Sequence, residues 1–272
     1  MALTLLNFRM RNRKEGMAFQ RVLKIALCIG ITLCASCVIP MNVVAEDGEY
    51  YSVWELEYPT KYKLVWYYKT ERDFKNNQPN KVLVGDKEFQ ILPYVRPPMI
   101  NGIYLMEYFQ VNEGEEVLDI GTGSGVHAIF AVEKAKRVVA TDIYPPAIEN
   151  AKINAQLHGV EKKIDFRVGD LLEPLDDSEK FDVFFFNINL PFSVTGKDRR
   201  MLHERFFSEV HKHMKPNARI YYQTSFVENI PYIHDMLSRN DFRIMEMHMK
   251  YFPKQKHEAI FLMVQSAEQE DM

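Results

Sequence analysis

Cysteine is scarce in this chain and confined to one stretch: Cys28, Cys34 and Cys37 all fall inside a single apolar run, and no thiol follows. That excludes a disulfide framework and a thiolate metal site in the body. No strong excess of either charge exists, with 34 Lys+Arg against 37 Asp+Glu in 272 residues. At 47% hydrophobic and 26% charged residues, the composition excludes a disordered tail, a collagen-like repeat and a multi-span membrane protein. Internal repeats and low-complexity tracts are absent. His127, His158, His203, His211 and His213 lack metal-ligand spacing, and His203-Glu204 lacks the second histidine of a zincin. These histidines read as surface or packing residues, and no metal is expected.

What charge there is lies unevenly. Residues 1–24 carry a net +5, leaving −8 for the remainder. An acidic body has no broad positive field for nucleic acid, so a protein or small-molecule partner is favoured over RNA or DNA. Residues 25–45 are apolar apart from Thr32, Ser36 and Asn42, with basic residues before them and Glu46, Asp47 and Glu49 after. The pattern fits a signal peptide or an uncleaved membrane anchor, and the Lys/Arg bias puts the N-terminus in the cytosol and the body outside. A start at Met41 is a third reading. The expected organisation is this segment (1–45), a small N-terminal lobe (46–96), a main domain (97–266) and a tail (267–272).

The lobe holds both tryptophans, Trp54 and Trp66, and a crowd of tyrosines, read as cement for the lobe. Alternation in residues 81–84 and 89–92 around Gly85-Asp86 predicts a hairpin. From Pro97 onward strands at 117–120, 138–141, 164–168, 183–186 and 220–223 alternate with helices at 126–136, 145–158, 198–214 and 231–240. Apolar runs at 242–249 and 259–264 look like an antiparallel closing pair. The expected fold is α/β: a Rossmann-like, doubly wound, mostly parallel sheet with an antiparallel closing strand, plus the aromatic-rich lobe.

The strongest local signal is Val117-Leu-Asp-Ile-Gly-Thr-Gly-Ser-Gly-Val126, a strand running into Gly121, Gly123 and Gly125 and then a helix. Glycines let the backbone turn sharply and approach a ligand, and the N–H groups of the following helix attract an anion. The spacing lacks the Gly-Lys-Ser/Thr of a nucleotide P-loop. A dinucleotide fold wants its third glycine where Val126 stands. Alternating glycines with Asp119 two positions ahead resemble motif I of the class I S-adenosylmethionine (SAM) methyltransferases. Further matches follow in order: Asp142 ends the second strand, Gly169-Asp170 the third, Asn187 the fourth, and Lys212-His-Met-Lys-Pro-Asn217 resembles the turn before strand five.

The resemblance implies SAM as cofactor, held by Asp119, Gly121, Gly123, Gly125, Asp142, Asp170 and Asn187. It implies that Asp142 takes the ribose hydroxyls and Asp170 the adenine amine. It also implies that Asn187, with Asn189 and Phe192 as second choices, positions an acceptor nitrogen. Asn187-Ile-Asn-Leu-Pro-Phe192 departs from the Asn/Asp-Pro-Pro-Tyr/Phe of glutamine-amide and base-amine methyltransferases, and its Asn-Ile start resembles the ribosomal-protein lysine methyltransferases. Glu149, Asn150, Ala151, Lys152 and Asn154 resemble both families. Lys197, Arg199, Arg200 and Arg205 read as a solvated face, or as steering for an acidic partner. The expected activity is N-methylation of an amine or amide, with a protein preferred as acceptor. An RNA base or small molecule is the alternative, and a non-catalytic SAM-binding module or an NAD-dependent oxidoreductase the different class. Because the methyl donor is made in the cytosol, a cytosol-facing location is preferred to an exported or membrane-anchored one.

Overall fold

The alternating aromatic and polar residues of the lobe form an antiparallel sheet of five strands in sequential order: β1 (Met41–Val44), β2 (Tyr50–Glu55), β3 (Leu64–Tyr68), β4 (Lys81–Val84) and β5 (Lys87–Gln90). The computed structural model describes residues 41–44, 50–55, 64–68, 76, 78–188, 200–224, 229–252 and 257–267. All belong to one compact unit, Pro40–Met272. The apolar segment at 25–40 lies outside the described residues, while the last part of that run forms β1, paired with β2. Among the described residues no helix is long and apolar enough to cross a membrane.

Strands β4 and β5 are the expected hairpin, turning at Gly85-Asp86. Leu64, Tyr68, Val82, Val84 and Phe89 are buried. Trp66 packs half-buried on the same core and donates its indole N–H to the Pro98 carbonyl at 3.1 Å. Of the aromatics expected to cement the lobe, Trp66 and Tyr68 do so; the side chains of Tyr50, Tyr51 and Trp54 lie outside the described residues.

A helix absent from the sequence reading, α1 (Ile100–Tyr108), leads into the main sheet. It has no capping side chain, no acid in its first turn and no base in its last, so the usual boundary signals are missing. The remaining elements alternate as expected: β6 (Glu116–Ile120), α2 (Val126–Ala131), β7 (Arg137–Asp142), α3 (Pro145–Leu157), β8 (Ile164–Val168), β9 (Phe181–Phe186), α4 (Arg200–Glu209), β10 (Met214–Thr224), α5 (Ile230–Arg239), β11 (Phe242–Phe252) and β12 (His257–Ser266). The sheet order is β11-β12-β10-β9-β6-β7-β8, parallel throughout except for β12, which runs antiparallel to β10 and β11.

Three boundaries differ from the pattern by five residues or more. The helix expected over 126–136 stops at Ala131, because Lys134 O and Lys136 N bond back to Gly114 N and Glu115 O at the entrance to β6. The helix expected over 198–214 is α4 followed by a 3-10 turn, Val210–His213. Strand β10 begins six residues earlier than its apolar stretch at 220, where its first part pairs beyond an irregularity with Phe181.

Alternation along the central strands feeds two cores. Val117, Val138, Val183 and Phe185 join residues of α1, α2 and the lobe on one face. Leu118, Ile120, Val139, Phe184 and Phe186 join Phe206, Phe207, Ile233 and Leu237 of α4 and α5 on the other. Burial on both faces is why these strands read as near-continuous apolar runs.

Two fully buried asparagines, one helical turn apart on α3, fasten the lobe to this sheet. Asn154 accepts the Gln90 N–H at 2.7 Å and donates to the Gln90 carbonyl at 3.0 Å and the Ser124 carbonyl at 2.8 Å. Asn150 accepts the Leu92 N–H at 2.8 Å and donates to the Gln90 carbonyl at 2.7 Å. Removing the Asn154 amide takes the side-chain partner from the Gln90 N–H and from the buried Ser124 carbonyl. Asn154→Ala should lower the unfolding free energy by about 2–4 kcal/mol, read by urea denaturation.

Candidate functional site

Strand order reverses direction between β6 and β9, and open α/β sheets bind ligands beyond the carboxyl ends of such strands. The glycine loop leaves β6 at this point. Gly121, Gly123 and Gly125 have φ of 70°, 57° and 85°, and Gly125 caps α2. Gly121 N and Thr122 N donate to the Thr141 carbonyl at 2.8 and 3.0 Å, so the end of β7 supports the turn. At Gly123 the positive φ favours glycine, and a Cβ there would meet no atom within 4 Å. The loop therefore presents a bare backbone to open space, the form a cradle takes when a ligand lies against it.

Asp119 does not face that space. It is buried to 1% exposure, its Oδ2 accepting the Thr122 hydroxyl at 2.7 Å and the Ala128 N–H at 3.2 Å. Burial raises its carboxyl above the usual carboxylate range, with His127 and these two donors pulling the other way. Asp119 is thus the internal brace of the loop, joining its floor to the first turn of α2.

Asp142, at the end of β7, lies beside the loop. Its Oδ2 accepts the Gly123 N–H at 3.0 Å and its Oδ1 the Tyr144 N–H at 2.9 Å. Beyond it Ile143 and Tyr144 expose apolar side chains, 65% and 41% accessible. Asp170, past β8, pairs with Arg205 of α4 at 2.5 Å. Gly169 N bonds the Asp142 carbonyl at 3.1 Å, which ties the second and third strand ends together. The carboxylates of Asp142 and Asp170 can accept hydrogen bonds from hydroxyls or an amine, and the apolar side chains can take a ring face.

The neighbouring strand end is that of β9, whose Phe186 pairs with Ile120 just before the loop. Asn187 is half-buried, with no hydrogen-bond partner for its side chain among the described residues. Ile188 lies against Gly121. Asn189 and Phe192, the second-choice acceptor residues, lie outside the described residues, as do Lys197 and Arg199. Among the described residues no cluster of metal-ligating side chains occurs.

Several residues at the site escaped the sequence reading. Thr122 and Ser124 lie buried between the glycines. Arg205 was read as part of a charged face, yet it reaches Asp170. His127, read as packing, stands in the first turn of α2 with its Nε2 on the Gly102 carbonyl at 3.0 Å. Position in the first helical turn after a glycine loop was the one available signal for His127.

A family model described as a methyltransferase domain matches residues 111–265. Over 144 residues the chain is 33% identical to a protein of Methanocaldococcus jannaschii named as a candidate protein N5-glutamine methyltransferase, covering 47% of this chain and 71% of that one. It is 48% identical over 79 residues to the ribosomal protein L11 methyltransferase of Caldicellulosiruptor bescii, covering 29% of this chain and only 25% of that one. The solved structure of a ribosomal protein L11 methylase from Lactobacillus delbrueckii subsp. bulgaricus shares the fold, with a TM-score of 0.53 at 24% identity over 63% of this chain and 81% of that one. Since the family match takes in the glycine loop, every strand of the main sheet and more than half of the sequence, the chain belongs to the methyltransferase-domain family and is a class I methyltransferase, a family and fold that imply SAM as the methyl donor.

Proposed function

We propose that this chain transfers the methyl group of SAM to a nitrogen of a protein side chain. The observation that carries the reading is Asn187: an unpartnered side-chain amide at the end of β9, on the strand next to the one that feeds the acid-flanked glycine loop. The bare face at Gly123 fits the donor, and the carboxylate of Asp142 suits ribose hydroxyls. Asp170 would take the adenine amine, with Ile143 as an apolar surface for the ring. Bound there, SAM supplies a methyl group already activated on a sulfonium.

The chain's own task is then geometric. It must hold the acceptor nitrogen in line at near-attack distance and leave that nitrogen a lone pair. The Asn187 side-chain carbonyl can accept an acceptor N–H, and its amide group can donate to a substrate carbonyl. An acceptor that presents both is an amide, so this polarity favours a glutamine-type side chain over an ammonium, which needs prior loss of a proton. The acidic body, and the protein substrates in the names of the glutamine and L11 relatives, support a protein acceptor.

Four measurements test the reading. Radiolabelled methyl transfer into cell extract should give label that protease removes and RNase leaves; RNase-sensitive label would move the acceptor to RNA. Gly123→Val, which drives a side chain into the cradle, should abolish SAM uptake in calorimetry. Asp142→Ala should weaken SAM by about 1.5–3 kcal/mol, the worth of charged hydrogen bonds. Asn187→Ala should spare SAM affinity while lowering kcat; lost affinity with normal turnover would assign Asn187 to the cofactor instead.

A further inference from the structure

We infer that His127 is a positioning residue for Asn187, acting through the backbone of α1. The inference rests on reading Asn187 as the acceptor-side residue. His127 is 8% exposed, and three elements close around its ring. From α1, the Gly102 carbonyl lies 3.0 Å from Nε2. From β6, the Asp119 Oδ1 lies 3.9 Å from Nδ1. From β9, Phe185 packs with ring centroids 5.7 Å apart.

These neighbours fix the imidazole chemically. A carbonyl oxygen only accepts, so Nε2 carries hydrogen. Nδ1 then turns to a buried carboxylate whose other oxygen already holds the Thr122 hydroxyl and the Ala128 N–H. At 3.9 Å the two are in contact without a hydrogen bond, so the carboxylate that braces the glycine loop also stands behind the ring, while the Gly102 carbonyl makes its one directed bond.

Its outward nitrogen fixes Gly102, and Gly102 sets Asn187. A Cβ built on Gly102 would fall 2.8 Å from the Asn187 amide nitrogen and 3.6 Å from His127 Cε1. The α1 backbone therefore lies against the Asn187 side chain, and a methyl group there would have to displace its amide. Because Asn187 has no hydrogen-bond partner of its own among the described residues, this backbone is the neighbour that limits where its amide can turn. The chain of contact runs Asp119, His127, Gly102, Asn187, from donor loop to acceptor residue.

The test follows the Asn187 side-chain amide by NMR, its cross-peak assigned through loss in Asn187→Ala, together with kcat and SAM affinity. His127→Phe keeps the ring volume against Phe185 but loses both nitrogens. It should shift or split the amide peak and lower kcat by roughly tenfold or more, with SAM affinity held within about twofold. His127→Gln keeps a donor for the Gly102 carbonyl and should recover the single peak and most of the turnover. Gly102→Ala, which favours the helix and meets His127 only at ordinary van der Waals distance, should reproduce the Phe phenotype if His127→Phe fails to fold. An unmoved peak in both His127→Phe and Gly102→Ala overturns the inference. So does a loss of SAM affinity in step with turnover, since His127 would then serve the donor loop alone. A wild-type protein that takes up no SAM sinks the proposed function instead, and leaves the NMR measurement to decide on His127.

Discussion

The glycine loop is the constraint on which the rest of the site depends, because it is held by three different elements. Strand β7 holds the N–H groups of Gly121 and Thr122 through the Thr141 carbonyl, and that of Gly123 through Asp142. Strand β6 holds the Thr122 hydroxyl and the start of α2 through Asp119. Helix α3 holds the Ser124 carbonyl through Asn154. Ordering five residues costs on the order of 5–10 kcal/mol in backbone entropy; these bonds, at about 1–2 kcal/mol each with the charged ones at the upper end, offset a cost of that size. The turn is preorganised by the scaffold, so a ligand need not pay to form it.

The lobe shares in that preorganisation on both walls. On the donor side, Asn154 joins Gln90 of β5 to Ser124 of the loop within a single side chain. On the acceptor side, the indole of Trp66 anchors Pro98, and α1 starts two residues later. Gly102 of α1 is then the surface against which Asn187 rests. The small N-terminal lobe read from sequence thus ends, at two points, on the residues of the crevice. Loosening it should be felt in the site, since the Asn154 bond runs from the lobe directly to the loop.

Much of this was legible in the sequence, and the exceptions have physical reasons. The central strands announced themselves as apolar runs because both faces are buried, and the alternating glycines announced the turn. Asp142 lies next to the loop, as its place at a strand end suggested. Asp119 shows where such reasoning stops. Spacing put an acid before the glycines, but whether it faces the crevice or the core depends on its face of the strand, and Asp119 shares the face of Val117, which feeds the core under α1 and α2. Helix α1 was missed because nothing caps it and it is held by tertiary packing, with Ile103, Leu105 and Met106 buried. The two asparagines of α3 looked like a family signature with no assigned task; only the approach of β5, which is distant in sequence, supplies one.

The pairing of Asp170 with Arg205 is compatible with a role for that acid in binding adenine. Arg205 is 42% exposed and Asp170 26% along their side chains, so water screens the pair and its net worth lies within about 1 kcal/mol. An amine arriving at Asp170 can displace the guanidinium at little cost, and Arg205 returns to solvent with its charge hydrated. Arg205 sits on α4, whose Phe206 stacks on Phe186 at 4.0 Å, the residue just before Asn187. The same helix therefore touches Asp170 through its charge and β9 through its aromatic face.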